Sequence, residues 1–537
     1  MTGFASGLVR AALVAALIGG GTSPASGQSP LAAERLLKDA TIEQLSQAME
    51  NGTLTSEALV EMYLERVAAY DQNGPALNSI LTLNQGALAR ARELDAERAE
   101  RGPRSMLHGI PVVLKDNVDT RDMPTTAGSI LLQGSFPPDD AFMVQMLRKA
   151  GAIILAKTNM SEFASGATMS SNGGWIRNPH DLDRTPAGSS GGSGAAIAAV
   201  FAQLGIGTDT GGSVRGPSAA NGIVGLKPTH GLVSRDGIIP LALSFDTGGP
   251  MARSVYDVAA MMNVIAGVDP TDEATRKADG RVPDDYTAFL DENALAGARI
   301  GVARQFLGGD PDVDWVIEAS LRQIQEQGAV LVDVELPQWL IDVKGDWYTT
   351  IRWREFREQI PAYLATTGPE FPKRLADLLD RSRDERYTTD QGGTPNPVRW
   401  SLFAQEEDSG RTTDTEYRTM VEFGQPMIRS LIDGLFNDER LDAIVYPTSG
   451  TRPERVGQNQ ATWDVPSATN LANLTGYPDL IIPAGFTSDN LPVALSFFGP
   501  AFSEPTLLGL GFSFESRNDQ RPYPAMTPAI DGHVIRR

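Results

Sequence analysis

Two clusters of small residues, joined by an apolar stretch, constrain this chain more than any other feature. From Pro186 it reads Pro-Ala-Gly-Ser-Ser-Gly-Gly-Ser-Gly-Ala-Ala-Ile-Ala-Ala-Val, and from Leu204 to Ser218 Leu-Gly-Ile-Gly-Thr-Asp-Thr-Gly-Gly-Ser-Val-Arg-Gly-Pro-Ser. Glycine and serine at this density let backbone N–H groups and hydroxyls come close to a ligand. A flexible linker has a similar composition, but linkers are not interrupted by Ala-Ala-Ile-Ala-Ala-Val and Leu-Gly-Ile-Gly, which need a core to bury them. The surroundings point to that core. Ile110–Leu114, Ala152–Ala156 and Leu204–Gly207 read as strands, and Phe142–Ala150 and Gly194–Ala202 as helices. This alternation predicts a mixed or parallel sheet covered by helices. Upstream, Thr41–Glu50 and Thr55–Tyr70 are helical in spacing with Thr at each N-cap, Leu77–Leu83 alternates as a strand does, and Gln85–Arg101 is a charged, alanine-rich helix. Apolar strand runs return at Ala443–Tyr446, Leu480–Pro483 and Val493–Phe498.

Length alone suggests about three domains for 537 residues. The pattern instead predicts one large α/β domain, a mixed central sheet covered by helices on both faces, with catalytic core in residues 100–260 and 440–520. A mostly helical variable segment covers residues 305–438. Five of the seven Trp fall between Trp315 and Trp400, among many charges. Buried aromatics are core more often than substrate wall, and the core reading is preferred.

The formal charge of −21 repels phosphate backbones and argues against nucleic acid as a partner. With no cysteine, disulfides, thiolate metal sites and a cysteine nucleophile are excluded. The four histidines (His108, His180, His230, His533) lack metal-ligand spacing, so no metal site is expected. At the start, Arg10, the apolar run Ala11–Ile18 and Ala25-Ser26-Gly27 read as a secretory signal over residues 1–27, with Gln28 opening an exported chain of residues 28–537. The alternative is a disordered or amphipathic extension. No segment of the mature chain reaches transmembrane length.

Gly188-Ser189-Ser190-Gly191-Gly192 matches the Gly-x-Ser-x-Gly elbow of α/β-hydrolases, which would make Ser190 a nucleophile with His230 or His533 as its base. That elbow needs a strand before it, and Asn178–Pro186 cannot supply a central one. Lys115 and Ser213 offer another arrangement. A lysine ending the strand Ile110–Leu114 carries its ammonium into a costly place, and desolvation favours the neutral amine. The alternative is a snorkelling surface lysine. Ser213 follows Thr208-Asp209-Thr210-Gly211-Gly212, a turn that exposes successive N–H groups and suits an anion. The alternative for Ser213 is a helix N-cap.

Taken together, these segments resemble the amidase signature family. The resemblance rests on Pro111–Asn117, Gly188–Gly194, Gly207–Ser218, Asn221–Thr229, Gly231–Pro240, Asn473–Pro478 and Pro483–Gly485, and extends from about Thr41 to Pro522. The serines Ser189 and Ser213 are 24 residues apart, and Lys115 lies 98 residues before Ser213, as the family requires. Within it the chain looks most like the bacterial peptide amidases and related exported amidases. The resemblance implies the amidase signature fold, Ser213 as nucleophile, Ser189 as bridging serine after a cis Gly188–Ser189 bond, and Lys115 as base. It implies an oxyanion hole from the N–H groups of Thr210, Gly211, Gly212 and Ser213, with Ser190 as support and no metal or organic cofactor. Asp209 and Arg215 are expected to form a structural ion pair rather than to touch substrate. Ser193 stands where several relatives carry glutamate. The partner it implies is a small amide, either a peptide C-terminal amide or an aryl or alkyl amide. Ester or carbamate cleavage, or service within an amidotransferase complex, are the alternatives. Substrate pockets are expected from the segment after Arg304 and from Asn172–Trp175; monomer and homodimer stay open.

Overall fold

The computed structural model describes residues 34–383, 397–457, 467–518 and 523–536. The expected secretory signal lies outside the described residues. In chain order the strands are β1 (Glu34–Leu36), β2 (Ile80–Leu83), β3 (Pro111–Lys115), β4 (Ile153–Thr158), β5 (Met169–Ser170), β6 (Gly174–Trp175), β7 (Leu204–Asp209), β8 (Val224–Lys227), β9 (Thr247–Ala252), β10 (Arg299–Val302), β11 (Val330–Asp333), β12 (Ala443–Pro447), β13 (Asp479–Phe486), β14 (Pro492–Phe498) and β15 (Val534–Arg536). Eleven of them form one sheet in the order β11-β10-β12-β14-β13-β8-β9-β7-β3-β4-β2. It is mixed: β7, β3 and β4 run parallel, as do β11, β10 and β12, while antiparallel pairs fill the middle.

Side-chain alternation along β13 explains the layering. Ile481 packs with Ala219 of the helix Arg215–Asn221 on one face. Leu480 and Ile482 meet the helix Glu504–Ser516 at Gly511 on the other. The sheet is thus a single α/β layer flanked by helices, as its pattern predicts. Strands buried on both faces read as continuous apolar runs, and β3, β4 and β7 are buried along their whole length.

Three details depart from the sequence reading. The glycine-rich helix spans Gly191–Ala198 rather than Gly194–Ala202, because Gly192 N–H already donates to the Asn159 carbonyl at 3.0 Å and the chain turns out of the helix at Val200, φ +61°. The variable segment is largely helical (Pro311–Glu326, Gln338–Leu364, Leu375–Arg383, Pro397–Glu407, Gln425–Glu439), yet it also supplies β11, which extends the main sheet parallel to β10. Its tryptophans are not simply core, since Trp315 is 68% exposed and Trp339 39%.

Candidate active site

Lys115 is the last residue of β3, between β7 and β4, and is completely buried. Its Nζ lies 2.7 Å from Ser189 Oγ, 2.8 Å from Thr208 Oγ1 and 3.4 Å from the Thr208 carbonyl oxygen. Among the described residues no carboxylate pairs with it. Burial pushes its pKa down from 10.5 to about 7, against the opposing pull of Asp209 and Asp246. The snorkelling alternative is therefore excluded, and near pH 7 the amine is substantially neutral.

Ser189 follows a cis Gly188–Ser189 peptide bond. Its carbonyl accepts from Ser161 N–H at 3.0 Å, which fixes the segment against the end of β4. Ser190 is buried and bonded to Thr208: its hydroxyl lies 3.2 Å from the Thr208 carbonyl and accepts from Thr208 N–H at 3.2 Å. Ser193 donates to the Ile206 carbonyl at 3.0 Å and sits 2.8 Å from Thr158 Oγ1, tying the helix to β7 and β4.

The loop Thr210–Ser213 leaves the end of β7. Asp209 organises its second half: Oδ1 accepts from Gly212 N–H at 2.8 Å, and Oδ2 from Val214 N–H at 3.0 Å. Arg215 closes on Asp209 at 3.1 and 3.2 Å and on Asp479 at 3.4 Å, while Asn473 Nδ2 donates to Asp209 at 2.9 Å. Burial opposes the charge on Asp209, but Arg215 and Asn473 override it and hold its pKa well below the usual carboxylate range. This is an ion pair inside the scaffold, beneath the loop.

Gly212 takes φ +112°, which favours glycine. The turn leaves the N–H groups of Thr210, Gly211 and Ser213 without an acceptor among the described residues. Gly212 is a correction to the expected set of oxyanion donors, because its N–H is already committed to Asp209. Ser213 is half-buried and does not cap the next helix, whose N-cap is Val214. Among the described residues no hydrogen bond joins Ser213 Oγ to Ser189 Oγ.

The elbow reading fails on geometry. Ser190 faces Thr208, and His230 Nε2 lies 2.9 Å from the Leu243 carbonyl, with burial pushing its pKa to about 3. His533 pairs with Glu65 at 2.8 Å. His108 Nε2 lies 2.9 Å from the Leu94 carbonyl, a structural bond.

Sequence reasoning missed several neighbours of the loop. Thr208 lies inside the quoted motif and contacts Lys115, and Asn117 Nδ2 donates to its hydroxyl at 3.1 Å. Tyr348, from the helix Gln338–Leu364, stacks on Phe245 with ring centroids 5.3 Å apart, and its hydroxyl stands over Gly211. Asp246 accepts the Thr210 hydroxyl at 2.5 Å. Tyr348 and Asp246 lie outside the motifs and carried no spacing signal. The Asn172–Trp175 loop is anchored by Asn78, which donates to the Trp175 carbonyl at 3.0 Å.

The family described as Amidase matches residues 58–508. The chain belongs to the amidase family. It is similar to the peptide amidase PAM, solved with the competitive inhibitor chymostatin, at 40% identity and a TM-score of 0.82 over 90% of this chain and 99% of that one. Native peptide amidase from Stenotrophomonas maltophilia gives 38%, 0.80, and 91% and 99% coverage. A glutamyl-tRNA(Gln) amidotransferase subunit from Thermoanaerobacter pseudethanolicus is 34% identical over 502 residues, 92% of this chain and 98% of that protein. An amidase-family enzyme acts on C–N amide bonds, by hydrolysis or by amide transfer. Among the described residues no helix is long and apolar enough to cross a membrane, and no group of three or more His, Asp and Glu could hold a metal ion.

Proposed function

We propose that this amidase is a serine hydrolase of small linear amides that works through an acyl-enzyme. The observation that carries this reading is the buried, carboxylate-free Lys115 amine 2.7 Å from Ser189 Oγ. A neutral amine has two N–H donors and one lone pair. Thr208 Oγ1 and the Thr208 carbonyl take the donors, which leaves the lone pair to Ser189. Lys115 accepts the Ser189 proton as Ser189 accepts that of Ser213, and Ser213 Oγ attacks the carbonyl carbon. The oxyanion rests on the N–H groups of Thr210, Gly211 and Ser213. Ser189 returns the proton to the departing amine, and water repeats the sequence on the ester. Substrates are peptide C-terminal amides or aryl and alkyl amides, a reading supported by the likeness to peptide amidase.

The test is a panel of peptide amides, anilides, esters and carbamates on the purified chain, with serine-directed phosphonate labelling. Hydrolysis of amides by the chain alone, with labelling lost in Ser213→Ala, is expected. The acid limb of kcat/KM should fall near pH 7, rising as the amine loses its proton. The likeness to an amidotransferase component supports a second reading, in which ammonia is released from an amide for a partner protein. Inactivity on every amide until such partners are supplied would favour it. An esterase or carbamate hydrolase would favour those arms of the panel. We also propose export after cleavage near Gly27; N-terminal sequencing of native protein that returned Met1 would overturn it.

A further inference from the structure

The loop that carries Ser213 is held by two carboxylates of different character. Asp209 takes its second half and is neutralised by Arg215. Asp246 takes its first residue and has no ion-pair partner among the described residues. Asp246 is 3% exposed and lies immediately before β9, where Thr247 is paired with Asp209 across the ladder. Its Oδ2 accepts from the N–H groups of Leu241 at 2.9 Å and Ala242 at 3.0 Å, and its Oδ1 accepts the Thr210 hydroxyl at 2.5 Å. Three donors converging on one side chain suit an ionised carboxylate, which only accepts. A buried anion without a cation is costly, so a packing role alone would be served better by a neutral group.

We propose that Asp246 is a positioning residue for hydrolysis: by holding the Thr210 hydroxyl it fixes the first peptide of the oxyanion loop, and by its charge it acts on Lys115. The inference rests on the assignment of Ser213 and Lys115 given above. Thr210 and Gly211 supply two of the three uncommitted N–H groups, and the hydroxyl bond is what sets their direction. The charges facing Lys115 are Asp209 and Asp246. Those facing Asp246 are Lys115, Glu355 and Tyr348 from the helix Gln338–Leu364, and Arg235. Asp209 is screened by Arg215, so Asp246 is the less compensated anion. Burial raises its pKa to about 6, leaving it mostly ionised where Lys115 titrates.

The two effects separate by mutation. Thr210→Val removes only the hydroxyl: kcat should fall about tenfold with KM within twofold and the pH profile unmoved, and Thr210→Ser should restore the rate. Asp246→Asn keeps an acceptor for Thr210 but removes the charge. Besides losing rate, it should move the acid limb of kcat/KM down by about half a unit or more, because an anion that favoured the protonated amine is gone. The double variant should combine the two effects, the rate loss of Thr210→Val and the lowered acid limb of Asp246→Asn. An Asp246→Asn enzyme with a wild-type rate and acid limb overturns the proposal. So does a rate loss that tracks thermal stability with no movement of the limb, which is what a purely structural carboxylate would give. If Asp246→Asn does not fold, Thr210→Val decides, and an unchanged kcat there overturns the positioning role. Phosphonate labelling of Ser213 in the wild type keeps the two questions apart: no labelling there sinks the hydrolase reading, whereas labelling with an unmoved limb sinks only the role of Asp246.

Discussion

Lys115 and Lys157 lie on adjacent strands, β3 and β4, one register step apart, and both are fully buried. Burial pushes the pKa of each down. Their partners differ. Lys157 sits 3.4 Å from the Asp116 carboxylate, with Thr125 Oγ1 at 2.8 Å and the Pro124 carbonyl at 3.2 Å. Lys115 has hydroxyls and a carbonyl but no carboxylate. Desolvation therefore does not by itself make a base. Asp116 favours the charged form of Lys157 against burial, while Lys115 has the Ser189 hydroxyl where a carboxylate would stand. The first is an ion pair that closes a fold; the second, on the proposed mechanism, is a proton acceptor awaiting substrate.

The strongest way to break this contrast is Lys115→Ala. Amide turnover should fall by about a thousand-fold or more while Ser213 remains in place. Esters should suffer less, because an alkoxide needs protonation less than an amine does. Lys157→Met should do the reverse. It strands Asp116 in the interior, although Thr126 N–H at 3.1 Å and Gly128 N–H at 3.0 Å still donate to it. A loss of about 3 kcal/mol in denaturant unfolding is expected, with activity per folded molecule largely kept. Equal losses of activity from both variants would erase the distinction.

pH sharpens it further. The folded-state pKa of Lys115, about 7, lies below its unfolded value of 10.5. Between these limits the unfolded chain binds more protons, so this group's destabilisation is fully present below pH 7 and fades as pH rises toward 10.5. Lys115→Met should therefore gain stability at pH 6.5 relative to wild type, by several kcal/mol at most, and the gain should shrink by pH 9. Chemical denaturation at the two pH values measures it. A gain of equal size at both would mean that repacking rather than charge is responsible.

How much of this was legible in the sequence follows from the physics of each part. β3, β4 and β7 announce themselves as apolar runs, because a strand buried on both faces has no reason to alternate. β9 does not: Thr-Gly-Gly-Pro-Met-Ala reads as a turn, and it is a strand only because β7 and β8 pair with it from both sides. Lys115, Ser189 and Ser213 lie within motifs and could be named from them. Asp246 could not, since its meaning comes from Thr210, 36 residues away in sequence. The commitment of Gly212 N–H to Asp209 was likewise invisible, because a Gly-Gly turn is compatible with several directions of its amides. Tyr348 reaches Gly211 from a helix whose sequence gives no sign of which face meets the loop.

A third buried lysine sets the lower end of the scale. Lys227, at the end of β8, donates to the Pro228 carbonyl at 3.0 Å and to the Tyr477 carbonyl at 2.9 Å, and burial lowers its pKa to about 8. Its depressed pKa resembles that of Lys115, but both of these partners are acceptors, and a carbonyl has no proton to surrender. If the partner decides the role, Lys227→Met should change kcat/KM by less than about twofold. A loss of turnover comparable with that of Lys115→Ala, at intact stability, would mean that a lowered pKa near the loop is sufficient for function, and that the hydroxyl partner of Lys115 is incidental.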